Sequence, residues 1–213
     1  MVRNMISEVV DRKINNNFDL IVREIANYCG EEFSEKIIEE AKKVQFIVVK
    51  DSGVVKVGNS ELYVEDEPVC VKGEEVFIIV PAISICGRNG NVLFVHCLLH
   101  ALGEEPFIKD GNDAFNETVV DYMAEEICKI LKKKGINITI ADDPSYTSNS
   151  FYSYFFDGIE SFYGINKEKV IASRMGKSVE IENVDKCINL FQKRFDDFLE
   201  RVDNEEKENI VKR

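Results

Sequence analysis

The spacing of apolar residues at the start of the chain predicts helices. Residues 5–28 place isoleucine, valine and leucine at roughly helical intervals, with a loop-like Asn15-Asn16-Asn17 interrupting the pattern. Residues 34–43 repeat the helical spacing over a shorter length. The chain is therefore predicted to begin with helices up to residue 43.

Between residues 44 and 90 the pattern is that of β-strands. Three runs are rich in β-branched and aromatic residues: VQFIVVK (44–50), ELYVED (61–66) and EVFIIVPAI (75–83). Glycine and asparagine occur in the breaks between them, as is usual between strands. This composition predicts a small, mostly antiparallel sheet.

From Asn91 the helical pattern returns. Residues 91–102 are apolar on every side, which predicts a helix that is buried all round and ends at Gly103. A second helix is predicted from about Ala114 to Lys134, because lysines fill its last turn and a glycine follows it.

The rest of the chain is predicted to be mainly helical. A last amphipathic helix is predicted from one apolar stripe, which consists of Val184, Ile188, Phe191, Phe195, Phe198 and Leu199. The whole chain is predicted to be a single α+β domain. Its predicted segments are N-terminal helices (1–43), a sheet (44–90), two helices (91–135), a helical C-terminal part (136–203) and a frayed, solvated tail (204–213).

Charge and cysteine content restrict the partners and the compartment. The chain has 213 residues and a net charge of −12. This charge argues against nucleic acid and anionic membranes as partners, because both attract basic surfaces. No secretory signal and no membrane-spanning run is recognisable. The six scattered cysteines form no CxxC pair, which favours reduced thiols and a cytoplasmic protein.

Both histidines of the chain lie four positions apart, in FVHCLLHALG (94–103). Positions i and i+4 share one face of a helix, so His96 and His100 could hold one metal ion together. The alternative is a pair of ordinary core histidines, and the spacing alone does not decide between the two.

The second predicted helix carries two acids on its apolar side. Carboxylates that point into a core are costly unless they are paired or coordinated. Either this end of the helix is exposed and both acids are solvated, or Glu117 completes a tetrahedral His2Glu metal site. In the second case Asp121 accepts the free N–H of one ligand histidine. The stripe that contains both acids runs through Val120, Ala124, Ile127, Cys128 and Leu131.

HCLLH (96–100) followed by NETVVD (116–121) resembles the HExxH and NExxxD motifs of the gluzincins, the thermolysin-like branch of the zincin zinc metallopeptidases. The resemblance implies a zincin-like fold, in which a small sheet packs on a buried metal-binding helix. It also implies a bound Zn²⁺ ion. By that resemblance the zinc ligands are His96, His100 and Glu117.

The resemblance implies further roles around the metal. Asp121 would orient a ligand histidine, and Asn116 would hold the backbone of a peptide or protein substrate. The run EVFIIV (75–80) would be the sheet edge along which that substrate pairs. Related sites use a histidine or a tyrosine to steady the oxyanion. Since no third histidine exists, four tyrosines are unassigned candidates: Tyr146, Tyr152, Tyr154 and Tyr163.

Cys97 departs from the family motif, which has a glutamate at this position as the general base. A thiol is shorter and less acidic than a carboxyl group, so Cys97 is a poor substitute and is interpreted as a small packing residue. Among nearby acids, Glu104 and Glu105 are expected to point away from the site. Asp110 and Asp113 remain open as replacements.

Three functions are consistent with these patterns. The leading prediction is a zinc-binding, metallopeptidase-like protein whose peptidase activity is weak or lost because Cys97 replaces the general base. The first alternative is an active zinc-dependent hydrolase that uses another base. The second is a metal-free module that binds peptides or acts as a scaffold. The sequence predicts no oligomeric state.

Overall fold

The residues that the structure describes form an α+β fold that is mainly helical and contains two small sheets. A computed structural model describes residues 2–58, 60–73, 75–86, 90–104, 113–139 and 155–211. Within these residues the helices are α1 (Val2–Cys29), α2 (Glu31–Ala41), α3 (Ala82–Cys86), α4 (Gly90–Leu102), α5 (Asp113–Lys133), α6 (Phe156–Arg174) and α7 (Val184–Val211). The strands are β1 (Val44–Val49), β2 (Gly53–Val57), β3 (Ser60–Val64), β4 (Val69–Lys72) and β5 (Val76–Pro81).

The first helix, α1, is continuous, so the predicted interruption at its three asparagines is wrong. Asn15 donates its side-chain N–H to the carbonyl of Asp11 at 3.0 Å, and Asn17 donates to that of Lys13 at 2.8 Å. The amides therefore bond back along the helix instead of ending it. Burial of Ile14, which is 1% exposed, anchors the same stretch to the core, and such packing outweighs a weak local propensity.

The larger sheet is mixed and has the strand order β1-β5-β4. β1 pairs with β5 in parallel over six residue pairs, and β4 pairs with β5 antiparallel. β2 and β3 form a separate antiparallel hairpin. Two of these three pairings are antiparallel, as predicted, although the longest ladder is parallel. β2 and β4 were not predicted, and the third predicted strand ends earlier because Ala82 begins α3.

The run EVFIIV forms the centre of its sheet, so its prediction as the sheet edge is wrong. Ile78, Ile79 and Val80 are each 0% exposed. A strand that is apolar on both faces is typical of a central, fully covered position. The short strand β4 is an edge of this sheet instead.

The helix α4 lies in the core, packed on the sheet and on α5, as its all-round apolar pattern predicts. A buried asparagine fixes its first turn to the segment after α5. The side-chain nitrogen of Asn91 donates to the Asn137 side chain at 2.8 Å, and its oxygen accepts the backbone N–H of Ile138 at 2.9 Å. These bonds fix α4 relative to the end of α5, which helps to position the residues that both helices carry.

The C-terminal helices close the core with aromatic side chains. Phe191 on α7 lies 4.9 Å from Phe155 and 5.6 Å from Phe115, measured between ring centroids. The last helix continues to Val211, into the residues that were predicted as a tail.

No helix among the described residues is long and apolar enough to cross a bilayer. All six cysteines are free thiols.

Candidate metal site

Three side chains from α4 and α5 converge on one point. His96 and His100 lie one turn apart on α4, and their Nε2 atoms are 3.0 Å from each other. Each Nε2 also lies 3.1 Å from Oε2 of Glu117 on α5. Within the described part of the chain, this is the group of three donor residues that could hold a metal ion, with all donor atoms within 4.8 Å of one another.

Asp121 contacts the ring nitrogen of His96 that does not lie at the point of convergence. Nδ1 of His96 lies 3.1 Å from Oδ1 of Asp121, one turn further along α5. The carboxylate accepts the Nδ1–H of the ring, which leaves the Nε2 lone pair of the neutral imidazole directed at the point of convergence. A carboxylate in this place fixes the tautomer and the ring orientation of a metal ligand. The structure thus brings together all four residues that the sequence predicted for the metal site.

The site is buried on one side and open on the other. The side chain of Asp121 is 4% exposed and that of His96 is 18% exposed. The side chains of His100 and Glu117 are 30% and 34% exposed. The site is therefore more exposed to solvent at His100 and Glu117 than at Asp121.

The two carboxylates control the charge of His96 when no cation is present. Burial alone would lower the pKa of His96, but hydrogen bonds and charges from Asp121 and Glu117 outweigh it and raise the pKa to about 9. For Glu117, burial would raise the pKa, and the two histidines outweigh this and hold it well below its usual range. At pH 7 a proton on His96 therefore supplies positive charge between two carboxylates. A metal ion would supply that charge in its place.

His100 has the opposite tendency. Burial lowers its pKa, and the nearby charges of His96 and Arg174 act in the same direction. Arg174 is buried at the C-terminal end of α4, where its guanidinium donates to the carbonyl of Leu99 at 3.4 Å. A cation at a helix C-terminus is favourable, and here it also helps to keep His100 neutral, the form that binds metals.

Cys97 lies outside the converging group and is 5% exposed. Its thiol donates to the backbone carbonyl of Pro68 at 3.2 Å, in the loop before β4. Burial raises the pKa of the Cys97 thiol far above its usual value, and the charges of Cys70, Glu117 and Glu67 raise it further. Cys97 therefore remains a protonated packing residue and supplies neither a thiolate ligand nor a general base.

The sequence also suggested substrate-binding, acidic and tyrosine side chains near the site, and the structure places them differently. Asn116 is buried on α5 beside Glu117, and its substrate-binding role stays a prediction. Glu104 points away as predicted, since it forms an ion pair with Lys36 at 3.0 Å. Tyr163 is buried, and its hydroxyl forms a hydrogen bond with that of Tyr28, so its side chain is part of the core. The structure does not describe the side chains of Glu105, Asp110, Asp113, Tyr146, Tyr152 and Tyr154.

Three residues around the site were not predicted from the sequence. Glu67 precedes Pro68 in the loop that packs on Cys97. Lys72 at the end of β4 donates to the carbonyl of Gly103, just after α4, and Arg174 caps the same helix end. A lysine or arginine can cap the C-terminal end of a helix by bonding to its last carbonyls, but only the fold shows which helix these two residues cap.

Comparison with protein-family models, with curated proteins and with solved structures finds no match to this chain. Support for a metal site therefore comes from the geometry of its own side chains.

Replacing Asp121 with asparagine is expected to weaken zinc binding by about 10–100-fold, the usual effect of removing a carboxylate that orients a ligand histidine. The amide has the size of the carboxylate but no charge, so the fold is expected to persist. Zinc affinity would be measured by competition with a chromophoric chelator, with circular dichroism as the control for folding. An unchanged affinity in a folded variant would show that Asp121 does not support a metal ligand.

Proposed function

We propose that this chain is a zinc-binding, metallopeptidase-like protein of zincin type, related in its site to the gluzincins, and that its peptidase activity is weak or lost. His96, His100 and Glu117 would hold the zinc ion, and Asp121 would orient His96. One observation carries this proposal: three donor atoms from two helices lie 3.0–3.1 Å apart around one accessible point.

The set of donor atoms fits zinc. Two imidazole nitrogens and one carboxylate oxygen, with a fourth position left open, form the donor set of catalytic zinc sites. The open side at His100 and Glu117 supplies that position, and the bond from His96 to Asp121 supplies the supporting carboxylate. Other first-row metals accept nitrogen and oxygen ligands as well, so the identity of the metal is part of the proposal.

Bound zinc would activate water and polarise a carbonyl group. A peptidase also needs a base that takes a proton from the attacking water, and general acid–base help is worth about 10²–10⁴-fold in rate. The buried thiol of Cys97 has no basic form at neutral pH and is bonded to Pro68. Slow hydrolysis is therefore expected even when zinc is bound.

The edge strand β4 supports a peptide or protein as the partner. β4 pairs with β5 on one side, and no described strand pairs with its other side. It packs against α4, which carries the two histidines. An extended peptide can add to such an edge through backbone hydrogen bonds. We propose that β4 takes the role that the sequence assigned to EVFIIV.

The metal-free alternative is supported by one specific observation. The four polar side chains of the site hydrogen-bond to one another without a cation, with a proton on His96 between the two carboxylates. In that case the group would be a structural link between α4 and α5. Added zinc distinguishes the two functions, because only the first includes a cation site.

We also propose a cytoplasmic location, in a reducing compartment. Its support is that all six cysteines are free and that burial raises the pKa of each of these thiols. Thiols of this kind persist where glutathione keeps cysteines reduced.

Zinc addition to the metal-free protein tests the proposed function. One equivalent is expected to bind, and free zinc at about 100 times the Kd should stabilise the fold by about 2.7 kcal/mol. For a chain of this size that corresponds to a rise in Tm of roughly 5–11 °C. Metal content would be measured by elemental analysis after dialysis, and Tm by calorimetry. Protein that retains no zinc and melts at an unchanged temperature would contradict the proposal and favour the metal-free alternative.

A further inference from the structure

The outward face of the β2–β3 hairpin carries an exposed apolar pair. Val54 and Tyr63 lie directly opposite each other in the two strands, and each is 65% exposed. Successive residues of a strand point to opposite faces, and the inward face is covered at Val64, which is 0% exposed. The outward face of such a hairpin is usually polar. Single exposed apolar residues are ordinary on protein surfaces, but here two adjoin each other, as is typical of a contact surface.

An acidic groove adjoins this apolar pair. It is open to solvent and has a volume of about 370 Å³. The residues that line it are Ser52, Tyr63, Glu65, Asp66 and Glu67. All three acids are exposed, and no described lysine or arginine forms an ion pair with them. Lys56 of the same hairpin pairs with Glu61 at 3.4 Å instead. The groove therefore presents three carboxylates that lack a cationic partner among the described residues.

Lysine and arginine side chains match both parts of this surface. Each has an apolar stem that packs on apolar groups and a cationic head that remains in a polar environment. The stem matches Val54 and Tyr63, while the head matches the ring of Tyr63 and the carboxylates of the groove. A metal ion would use the carboxylates alone, and an uncharged apolar ligand would use the apolar pair alone. The net charge of the chain, −12, attracts the same basic class of partner.

The position of the groove favours a polypeptide over a small cation. Residues 65–67 lead directly into β4, and β4 is the edge of the larger sheet within the described residues. An extended segment can add to a sheet edge through backbone hydrogen bonds. A bound segment can therefore place its basic side chains in the groove and continue along β4.

We propose that Val54, Tyr63 and the three groove carboxylates form a docking surface for an extended polypeptide segment rich in lysine or arginine. The inference goes beyond the proposed function, because the surface contains none of the proposed zinc ligands and needs no bound metal. Binding is therefore expected to be the same in metal-free and zinc-loaded protein.

Removing the three carboxylates tests the docking surface. The probe is a fluorescein-labelled, arginine-rich peptide without secondary structure, and its binding to the full chain is followed by fluorescence anisotropy in the presence of a chelator. The triple variant E65Q/D66N/E67Q is expected to raise the Kd by about tenfold, because exposed ion pairs are individually weak and three are lost together. Circular dichroism is the control for folding.

A matched variant removes the same charge elsewhere. Asp19, Glu31 and Glu35 are exposed acids on α1 and α2. The variant D19N/E31Q/E35Q has the same net charge as the groove variant, so long-range attraction of the peptide falls in both. The difference between the two variants therefore measures the contribution of the groove. The control is expected to raise the Kd less than about threefold, since salt screens distant charges.

Two changes at Tyr63 test the aromatic part of the surface. Tyr63→Ala removes the ring and is expected to raise the Kd by about two- to fivefold, the usual effect of losing an exposed cation–π contact. Tyr63→Phe keeps the ring and should leave the Kd unchanged.

Several results would overturn the docking surface. These are no binding of the peptide to the unaltered chain, equal effects of the groove and control variants, and unchanged binding in Tyr63→Ala. A linear polyamine that binds as tightly as the peptide would make the groove a site for small cations. A dimer in sedimentation that Tyr63→Ala converts to a monomer would make a second copy of the chain the occupant. Both of these results also overturn the inference, and none of them bears on the zinc site, because metal is absent from the assay.

Discussion

Cys97→Glu is expected to raise chelator-sensitive peptide cleavage by about 10²–10⁴-fold, the usual contribution of general acid–base help. The change restores the glutamate that the gluzincin motif has at this position. Cys97 is buried and bonded to Pro68, so the longer side chain must displace the loop before β4. Overpacking of this kind costs about 1–3 kcal/mol of stability.

The matched control for this gain of activity is Cys97→Gln. Glutamine has the size of glutamate and displaces the loop equally, but it cannot accept a proton from water. The ratio of the cleavage rates of the two variants therefore measures the contribution of the carboxylate alone. Cleavage would be assayed on a broad peptide library with and without chelator. Equal rates in two folded, zinc-loaded variants would contradict the peptidase-like character of the site.

Removing one proposed ligand is expected to weaken zinc binding by about 10²-fold or more. The free energy of zinc binding to small peptides with four ligands is about 10–16 kcal/mol, so one ligand contributes roughly 3 kcal/mol. His100→Ala and Glu117→Gln remove a donor from α4 and from α5 respectively. Both side chains are about one-third exposed, so both variants are expected to fold. Affinity would be measured by chelator competition.

Glu104→Gln is the control for these ligand variants. Glu104 follows α4 closely in sequence but forms an ion pair with Lys36 instead of joining the converging side chains. Its loss should leave zinc affinity unchanged. If all three variants bind zinc as tightly as the unaltered protein, the cation is held elsewhere and the assignment of His100 and Glu117 is wrong.

The elements that carry the proposed ligands could be predicted closely from the sequence. The predicted helix 91–102 is observed as Gly90–Leu102, and the predicted helix 114–134 as Asp113–Lys133. Both have strong apolar patterns over several turns, and local spacing is sufficient to recognise them. The same spacing places His96 beside His100 and Glu117 beside Asp121, and the proposed ligand set followed from these two pairs together with the resemblance to the gluzincin motifs.

The arrangement of the strands could not be predicted in the same way. Strand order depends on contacts between residues far apart in sequence, and the run VCVK of β4 is too short to stand out between charged loops. The sequence prediction therefore assigned the sheet edge to EVFIIV, whose even burial on both faces marks a central strand. The contact of Cys97 with Pro68 was missed for the same reason, because it exists only once β4 lies along α4.

Locating the bound cation in a crystal structure is the most direct test of the proposed metal site. Crystals grown with zinc would be measured at the zinc absorption edge, where anomalous scattering identifies the element. We expect one strong peak about 2.0–2.2 Å from Nε2 of His96, Nε2 of His100 and a carboxylate oxygen of Glu117. A zinc-saturated crystal with no peak between these side chains, or with its peak at other residues, would contradict it.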